Sequence, residues 1–419
     1  MANSDLLSVV EARERIIQGL HPVSTETISL SDSLGRILSA PIHSPLNFPP
    51  FTNSSMDGFA VHSTDLRAAS PETPVQLEVI EDIPAGFEPV IHIESGQAAR
   101  IMTGGMLPPG ADAVIQLELT SVWKASFQVP GRIQCYASVG SGENIRPAGM
   151  DFPAGVLLMP VGTRLESQHL GLLASLGIQQ ISVFRKPRIA LLSTGSELIL
   201  PGNPLLPAKL YESNSTFLSA KLEQAGAEVI NLGIAQDNLE DVRSRLEFAY
   251  SEGVDFILTS AGVSVGEYDL VRKVIQATGE INFWRVNIRP GKPLAFGHYR
   301  LIPVLGLPGN PVSSFVTCLV FAVPAVQQLA GLPPSSPPYL SAVLTSPVES
   351  DGRESYLRAL VHRAQDGPLQ AALVEAHQGS GNLFSLVQAN ALLIVPSGVK
   401  SLPSGAQVKI LMLTEKMNE

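Results

Sequence analysis

Two cysteines in 419 residues, Cys135 and Cys318, are too few and too far apart in sequence for a disulfide framework or a metal-ligand spacing. That scarcity points to a reducing compartment, the cytoplasm. A long apolar run is also missing. The most apolar stretch, residues 315–326, contains Pro324 and is shorter than the roughly 20 residues a membrane span needs. The N-terminus, MANSDLLSVVEARERII, carries acids where a signal peptide has its apolar segment. No HExxH, GxSxG, P-loop or CxxC pair occurs, which removes the usual support for protease, hydrolase, NTPase and zinc readings. Positive charge is in deficit, with 28 Lys and Arg against 38 Asp and Glu and a net charge of −10. The whole-chain balance therefore recommends neither nucleic acid nor a membrane as partner, and any anion site must be built locally from a few cations and backbone N–H groups.

What is present is turn chemistry. Thirty-five Gly and 33 Pro fall between apolar runs, and the hydrophobic fraction of 45% is ample for burial. The length suggests several domains. Residues 5–20 have Leu6, Val9, Val10, Ile16 and Ile17 at helical spacing, with Ser4 or Asp5 expected at the N-cap. Ser31 is expected to cap a short helix that Gly35 ends. Prolines 45, 49 and 50 forbid regular structure before an exposed turn at Asp57-Gly58. Short β-like runs such as VQLEVI, QAARIM and AVIQLE then read as an inserted β-rich module, after which the helix around SQHLGLLASLG returns to the first segment.

From Lys186 strands alternate with helices: RIALLSTG, SNSTFLSAKLEQAG, AEVINLG, NLEDVRSRLEFAYSEG, VDFILTSAG, YDLVRKVIQATG. This alternation predicts a parallel, doubly wound α/β sheet, whose ligands bind beyond the carboxyl ends of the strands. A proline-rich linker after Gly331 leads to a last β part expected to be a small barrel or sandwich. The fold class is thus α/β plus β. Expected boundaries are 1–48 with 141–183 (a discontinuous, elongated N-terminal domain), 49–140 (the inserted domain), 184–331 (α/β) and 332–419 (C-terminal β-barrel).

The segment from Asp255 to Ser314 concentrates the chemistry. In FWRVNIRPGKP, Arg285, Asn287 and Arg289 alternate with apolar Trp284, Val286 and Ile288, which predicts one strand with both arginines on one face and Lys292 beyond the turn. Three cations there suit phosphate or another oxyanion, although a solvated edge strand has the same spacing. Asn310 and Pro311 predict a helix start that leaves the N–H groups of Val312, Ser313 and Ser314 free for an anion, or simply a well-capped helix. Asp57, Asp151, Glu197, Asp237, Glu267 and Asp269 stand beside Gly or Pro turns. Acids among anion-binding groups serve only with a divalent cation between, Mg²⁺ being the usual one, and otherwise serve as turn residues. From the residues alone the chain supports the reading of a phosphate-handling α/β enzyme with flanking β-domains, and no more.

The motifs PPFTNSSMDGFAV, RIMTGGMLPPGADAVIQLE, GENIRPAGMD, STGSELILPG, TSAGVSVGEYD, RPGKPLAFG and GLPGNPVSS, in this order, resemble the molybdopterin molybdenumtransferases, the MoeA family, which includes the E-domain of gephyrin. The resemblance covers nearly the whole chain and is weakest after Pro333. It implies four domains, a homodimer whose active site draws on both subunits, and a Mg²⁺-assisted reaction. In that reaction molybdate and adenylylated molybdopterin give molybdenum cofactor and AMP. By matching motif it implies site roles for Asp57, Thr103, Asp151, Glu197, Asp237 and Asp269, of which Glu197, Asp237 and Asp269 would hold the metal. Arg285, Arg289 and Lys292 would hold pyrophosphate or molybdate, with Pro308, Pro311, Ser313 and Ser380 completing the substrate site. An upstream adenylyltransferase is the implied source of substrate. Arg285 and Arg289 replace the lysines common in relatives. Glu212 replaces an Asp, and Ala261 replaces a Gly, which calls for a negative φ there. The alternatives are the adenylyltransferase of the preceding step, which shares the α/β fold, and a gephyrin-like scaffold.

Overall fold

Strand–helix alternation from residue 188 builds a six-stranded sheet ordered Glu228–Ala235, Arg188–Thr194, Phe256–Ser260, Ile302–Leu307, Pro293–Tyr299, Ile281–Arg285. The first four strands are parallel, as the alternation predicts. Pro293–Tyr299 is antiparallel to both of its neighbours, because only a tight turn joins it to Ile302–Leu307 and a parallel crossover needs a dozen residues or more. The edge strand Ile281–Arg285 therefore runs in the direction of the parallel four and ends at the same edge. Strand residues alternate between two cores: Ile189, Leu191, Phe256 and Leu258 face one, Ala190, Leu192 and Ile257 the other. Helices Leu239–Ser251 and Leu270–Thr278 cover the second face; Val9–Gln18, Asn214–Gln224 and the long helix Pro311–Leu329 cover the first.

This is a computed structural model that describes residues 6–122, 130–261, 270–333, 337–364, 367–375 and 377–414. The chain divides into two compact units, one of Met1–Ala40, Val161–Gly171 and Gln179–Glu419, the other of Pro41–Pro160 and Leu172–Ile178.

Local sequence explains the helix ends of the first unit, with two corrections. The first helix begins at Val9 rather than at residue 5. Ser8 is its N-cap, accepting from the Glu11 N–H at 3.2 Å while the Glu11 carboxylate accepts from the Ser8 N–H at 2.9 Å. Leu30–Asp32 is a single 3₁₀ turn with Ser29, not Ser31, at its N-cap and no side-chain cap bond. Pro311–Leu329 is longer than the apolar run suggested and is long and apolar enough to cross a membrane, but it lies mostly buried against the sheet. It widens to a π turn over Cys318–Ala322, just before Pro324, which has no N–H to give the preceding turn.

In the same unit Tyr339–Leu344, Glu354–Arg363, Leu369–Leu373, Ala391–Val395 and Gln407–Met412 close into a five-stranded barrel through the pairing of Glu354–Arg363 with Ala391–Val395. Ile288–Arg289 adds to it in parallel, Ile288 opposite Glu354. The single strand expected over Trp284–Arg289 is thus two: the first ends at Arg285 in the α/β sheet and the second begins at Ile288 on the barrel. Val286 bridges to Leu7 between them.

The other unit holds a mixed five-stranded sheet, ordered Ala113–Gln116, Gly58–Val61, Gln97–Ile101, Val75–Ile83, Arg132–Cys135, with apolar cores on both faces. Gly58 is required at the strand start, because a Cβ there would lie 2.0 Å from the Ile115 carbonyl oxygen.

Candidate functional site

The carboxyl ends of the α/β strands open into a cavity of about 400 Å³ lined by Thr194, Glu197, Glu212, Asn214, Ser260, Ala261 and the Pro308–Pro311 turn. Beside it, and sharing Pro293, Asn310 and Ser313, lies a second cavity of about 440 Å³. Its lining includes Arg289, Lys292, Arg353, Arg358, His377 and Ser380. One cavity is walled by acids and amides, the other by cations.

Arg358 defines the basic cavity. It sits in the barrel strand Glu354–Arg363, only 1% exposed, with Nε donating to Ser385 Oγ and Nη2 to the Gly379 carbonyl, both at 3.0 Å. Among the described residues it has no carboxylate partner. Burial, with the nearby Arg289 charge, lowers its pKa to about 10. A buried cation without a counterion is costly, and an anion in the cavity would relieve it. The nearby Asp351 is engaged by Arg353. Burial works to raise its pKa, but hydrogen bonds from Arg353 and the charges of Arg353 and Arg289 outweigh burial and hold it below the usual range. Arg289 itself is 4.0 Å from Asp351, so its guanidinium is not saturated by that contact.

Ser380 is fixed at the junction. Its carbonyl accepts from the Val312 N–H at 3.0 Å and its hydroxyl from Asn310 Nδ2 at 3.1 Å. This corrects the expected helix start in two ways. Asn310 occupies the cap position but spends its side chain on Ser380, and the Val312 and Ser314 N–H groups are already used, the latter by the Asn310 carbonyl at 2.8 Å. Of the three amides, only that of Ser313 has no recorded acceptor among the described residues.

On the acidic side, the Glu197 carboxylate folds over Gly195, where a Cβ would meet Oε2 at 2.6 Å. Asp237 accepts from the Ser196 N–H at 2.9 Å and from its hydroxyl, tying the loops after two neighbouring strands together. Glu212 is buried and accepts from Ser193 Oγ at 3.0 Å and the Ser215 N–H at 2.8 Å, so it anchors the start of helix Asn214–Gln224. Ala261 has φ +72, against the negative φ expected of an alanine. The left-handed turn is kept despite the Cβ, and that Cβ faces Gly309, where another Cβ would be 3.0 Å away. Asp269, with Glu267, lies outside the described residues.

Arg285 is not brought to this pair of cavities. It lines a separate one with Arg15, Arg272 and Trp284. In the second unit Asp57 and Thr103 form a pair, Asp57 Oδ1 accepting from the Thr103 N–H at 2.7 Å and hydroxyl at 2.8 Å. Those bonds hold the Asp57 carboxyl below its usual range, so it is ionised at neutral pH. Asp151 is exposed in the same unit. No group of three or more metal-binding side chains occurs among the described residues. Sequence reasoning passed over Arg353, Arg358 and His377; an arginine inside the otherwise apolar strand SYLRALV was the available signal.

Fold and site together define a multidomain α/β-plus-β protein with a cation-lined cavity between strand ends and a β-barrel. Three family models divide the chain among them: the MoeA N-terminal region (domains I and II) at residues 7–177, a probable molybdopterin binding domain at 190–328, and the MoeA C-terminal region (domain IV) at 341–413. A molybdopterin molybdenumtransferase of Nostoc sp. is 37% identical over 395 residues, 93% of this chain and 89% of its own. That of Haemophilus influenzae is 34% identical across 97% of this chain and 98% of its own. The structure of a molybdopterin biosynthesis MoeA protein from Pyrococcus horikoshii matches with a TM-score of 0.84 and 32% identity, over 98% of this chain and all of that one. The chain belongs to the MoeA family, that of the molybdopterin molybdenumtransferases.

Proposed function

We propose that this chain is a transferase that takes molybdate and adenylylated molybdopterin and releases AMP and molybdenum cofactor. The observation that carries the reading is Arg358, a buried guanidinium without a counterion among the described residues, opening with Arg289, Lys292 and Ser380 on a cavity joined to the carboxylate-lined strand ends. Molybdate is a compact oxyanion, and guanidinium forks with a serine hydroxyl and the Ser313 amide, which has no acceptor among the described residues, suit its oxygens. The substrate's nucleotide end would lie in the neighbouring cavity, against the Pro308–Pro311 turn. The two are then held side by side, which turns an encounter of two anions into a reaction within one complex. No protein nucleophile is needed: water attacks the phosphoanhydride, a new P–O bond forms as the P–O–P link breaks, and AMP leaves as molybdenum is bound.

Hard oxygen donors on adjoining loops fit Mg²⁺, which commonly takes one or two carboxylates and fills its shell with phosphate and water. Glu197 and Asp237 would hold it, with Asp269 as the third acid of the motif set. When bound it would neutralise charge on the phosphoanhydride. The fixed, ionised Asp57 with Thr103, and the exposed Asp151, are assigned to the site of a partner subunit in a homodimer. The domain reading is 1–48 with 141–183, 49–140, 184–331 and 332–419. It is supported by the separate sheets and by the three matched regions. A cytoplasmic location and an upstream adenylyltransferase as substrate donor complete the proposal. A role confined to adenylyl transfer has less support, since the barrel supplies half of the basic cavity.

The deciding assay combines purified protein, adenylylated molybdopterin, Mg²⁺ and molybdate, and follows AMP release and reconstitution of a molybdoenzyme. Molybdate-dependent AMP release is expected; its absence would sink the transferase reading and leave a scaffold or the adenylyltransferase step. Sedimentation at micromolar concentration tests the dimer.

A further inference from the structure

The backbone joins the N-terminal segment to the end of the edge strand. Leu7 bridges Val286 in parallel and accepts from the Asn287 N–H at 2.8 Å. The helix that follows, Val9–Gln18, thereby brings Arg15 to the carboxyl end of Ile281–Arg285. The cavity formed there, about 480 Å³, is lined by Leu7, Arg15, Arg272, Asn282, Trp284 and Arg285, with no carboxylate among its lining residues. The Arg272 guanidinium lies 4.5 Å from the centre of the Trp284 ring, an arrangement that holds the cation in place over an aromatic floor. Neither Arg15 nor Arg285 forms an ion pair among the described residues. Glu11, one turn before Arg15, is hydrogen-bonded to Ser8 and offsets part of the Arg15 charge, leaving Arg285 as the exposed cation of the cavity without an ion pair among the described residues. Gathering like charges around one cavity raises the free energy of the empty protein, and an anion lowers it.

We propose that this cavity is a phosphate-monoester site, separate from the oxyanion cavity at Arg289 and Lys292. The inference rests on the proposed transfer in one respect. Attack of water on the phosphoanhydride breaks its P–O–P link and leaves a phosphate monoester on each half, AMP and the pterin product, whereas molybdate never carries that group. Two anion sites at one edge of the sheet then divide the work, one for the metal oxyanion and one for a dianionic phosphate. Arginine in place of lysine at 285 fits this, because a planar fork engages two phosphate oxygens at once.

Trp123→Phe leaves Trp284 as the only tryptophan and makes its fluorescence a local reporter. Titration with AMP, inorganic phosphate and adenosine separates the sources. AMP and phosphate are expected to change the emission saturably and adenosine to leave it unchanged; AMP binding tighter than phosphate assigns the site to the nucleotide product, and equal binding to the phosphate group alone. Arg15→Gln and Arg285→Gln are each expected to weaken binding about tenfold, both side chains being exposed and replaceable without unfolding. Arg285→Lys, which keeps the charge but loses the fork, should retain only part of the affinity, and Lys292→Gln all of it. No anion-dependent change in emission, or equal loss in the Lys292 and Arg285 variants, overturns the separate site. Molybdate-dependent AMP release is measured on the same preparations. Release without phosphate binding rejects the site alone, and phosphate binding without release rejects the transferase reading alone.

Discussion

Ala261 and Arg358 both stand where local preference is overruled by the site. At Ala261 the left-handed backbone, φ +72, is disfavoured for any residue with a Cβ by roughly 1–2 kcal/mol. Ala261→Gly should therefore raise stability by about 1 kcal/mol, read as a higher urea midpoint at unchanged slope. A lower midpoint would mean that the methyl's packing against the Gly309 turn outweighs the backbone strain. At Arg358 the charge is desolvated and its pKa lowered to about 10. Anions that fill the basic cavity should raise the melting temperature in proportion to occupancy. In Arg358→Met that anion-dependent rise should disappear, whatever the variant does to baseline stability. A preserved rise with molybdate or sulfate would show that Arg358 does not face the anion.

Among the elements, the first helix has the clearest local cause. The reciprocal Ser8–Glu11 bonds satisfy two N–H groups that a helix start leaves open. Ser8→Ala should destabilise the protein by about 1 kcal/mol at pH 7. Glu11 is held below its usual pKa first by the Ser8 backbone N–H and then by its hydroxyl. A depressed carboxylate contributes stability that is present above its unfolded value and lost as pH falls through its folded value. The Ser8→Ala difference should accordingly shrink below about pH 4. A difference constant from pH 7 to pH 3 would refute the capping account. The long helix Pro311–Leu329 is followed, after its C-cap Ala330, by Gly331, whose φ of +87 and closeness to the Phe184 ring, 2.1 Å from a would-be Cβ, permit no side chain.

Over the whole molecule, carboxylates are held below their ordinary range at scattered positions. Thr103 holds Asp57, and Tyr299 with Arg300 holds Glu247; Ser63 holds Asp112 and Arg353 holds Asp351, in both of these against burial. Each binds fewer protons folded than unfolded, so all act with the same sign. The urea midpoint should be flat from about pH 7 to pH 5 and fall steeply below about pH 4. A midpoint that rises in acid would contradict these assignments. The loss should be felt in both units, because Asp57 and Asp112 lie in one and Glu247 and Asp351 in the other.

Period and punctuation were enough to determine the alternating strands and helices after Lys186, the β character of both flanking regions and the helix start at Pro311, since these follow from patterns within a few residues of one another. The ordered motifs carried the family. The break at Val286 was illegible, because period two continues through it and only pairing, with Leu7 and with Glu354, sends the two arginines to different sheets and different cavities. The use of Asn310 for Ser380 rather than its own helix was illegible as well, since the partner is 70 residues away. Arg358 looked like one charge in a strand until the barrel closed around it. Local patterns decided which elements form; contacts between distant segments decided which charges share a cavity, because electrostatic neighbourhood depends on distance in space and not along the chain.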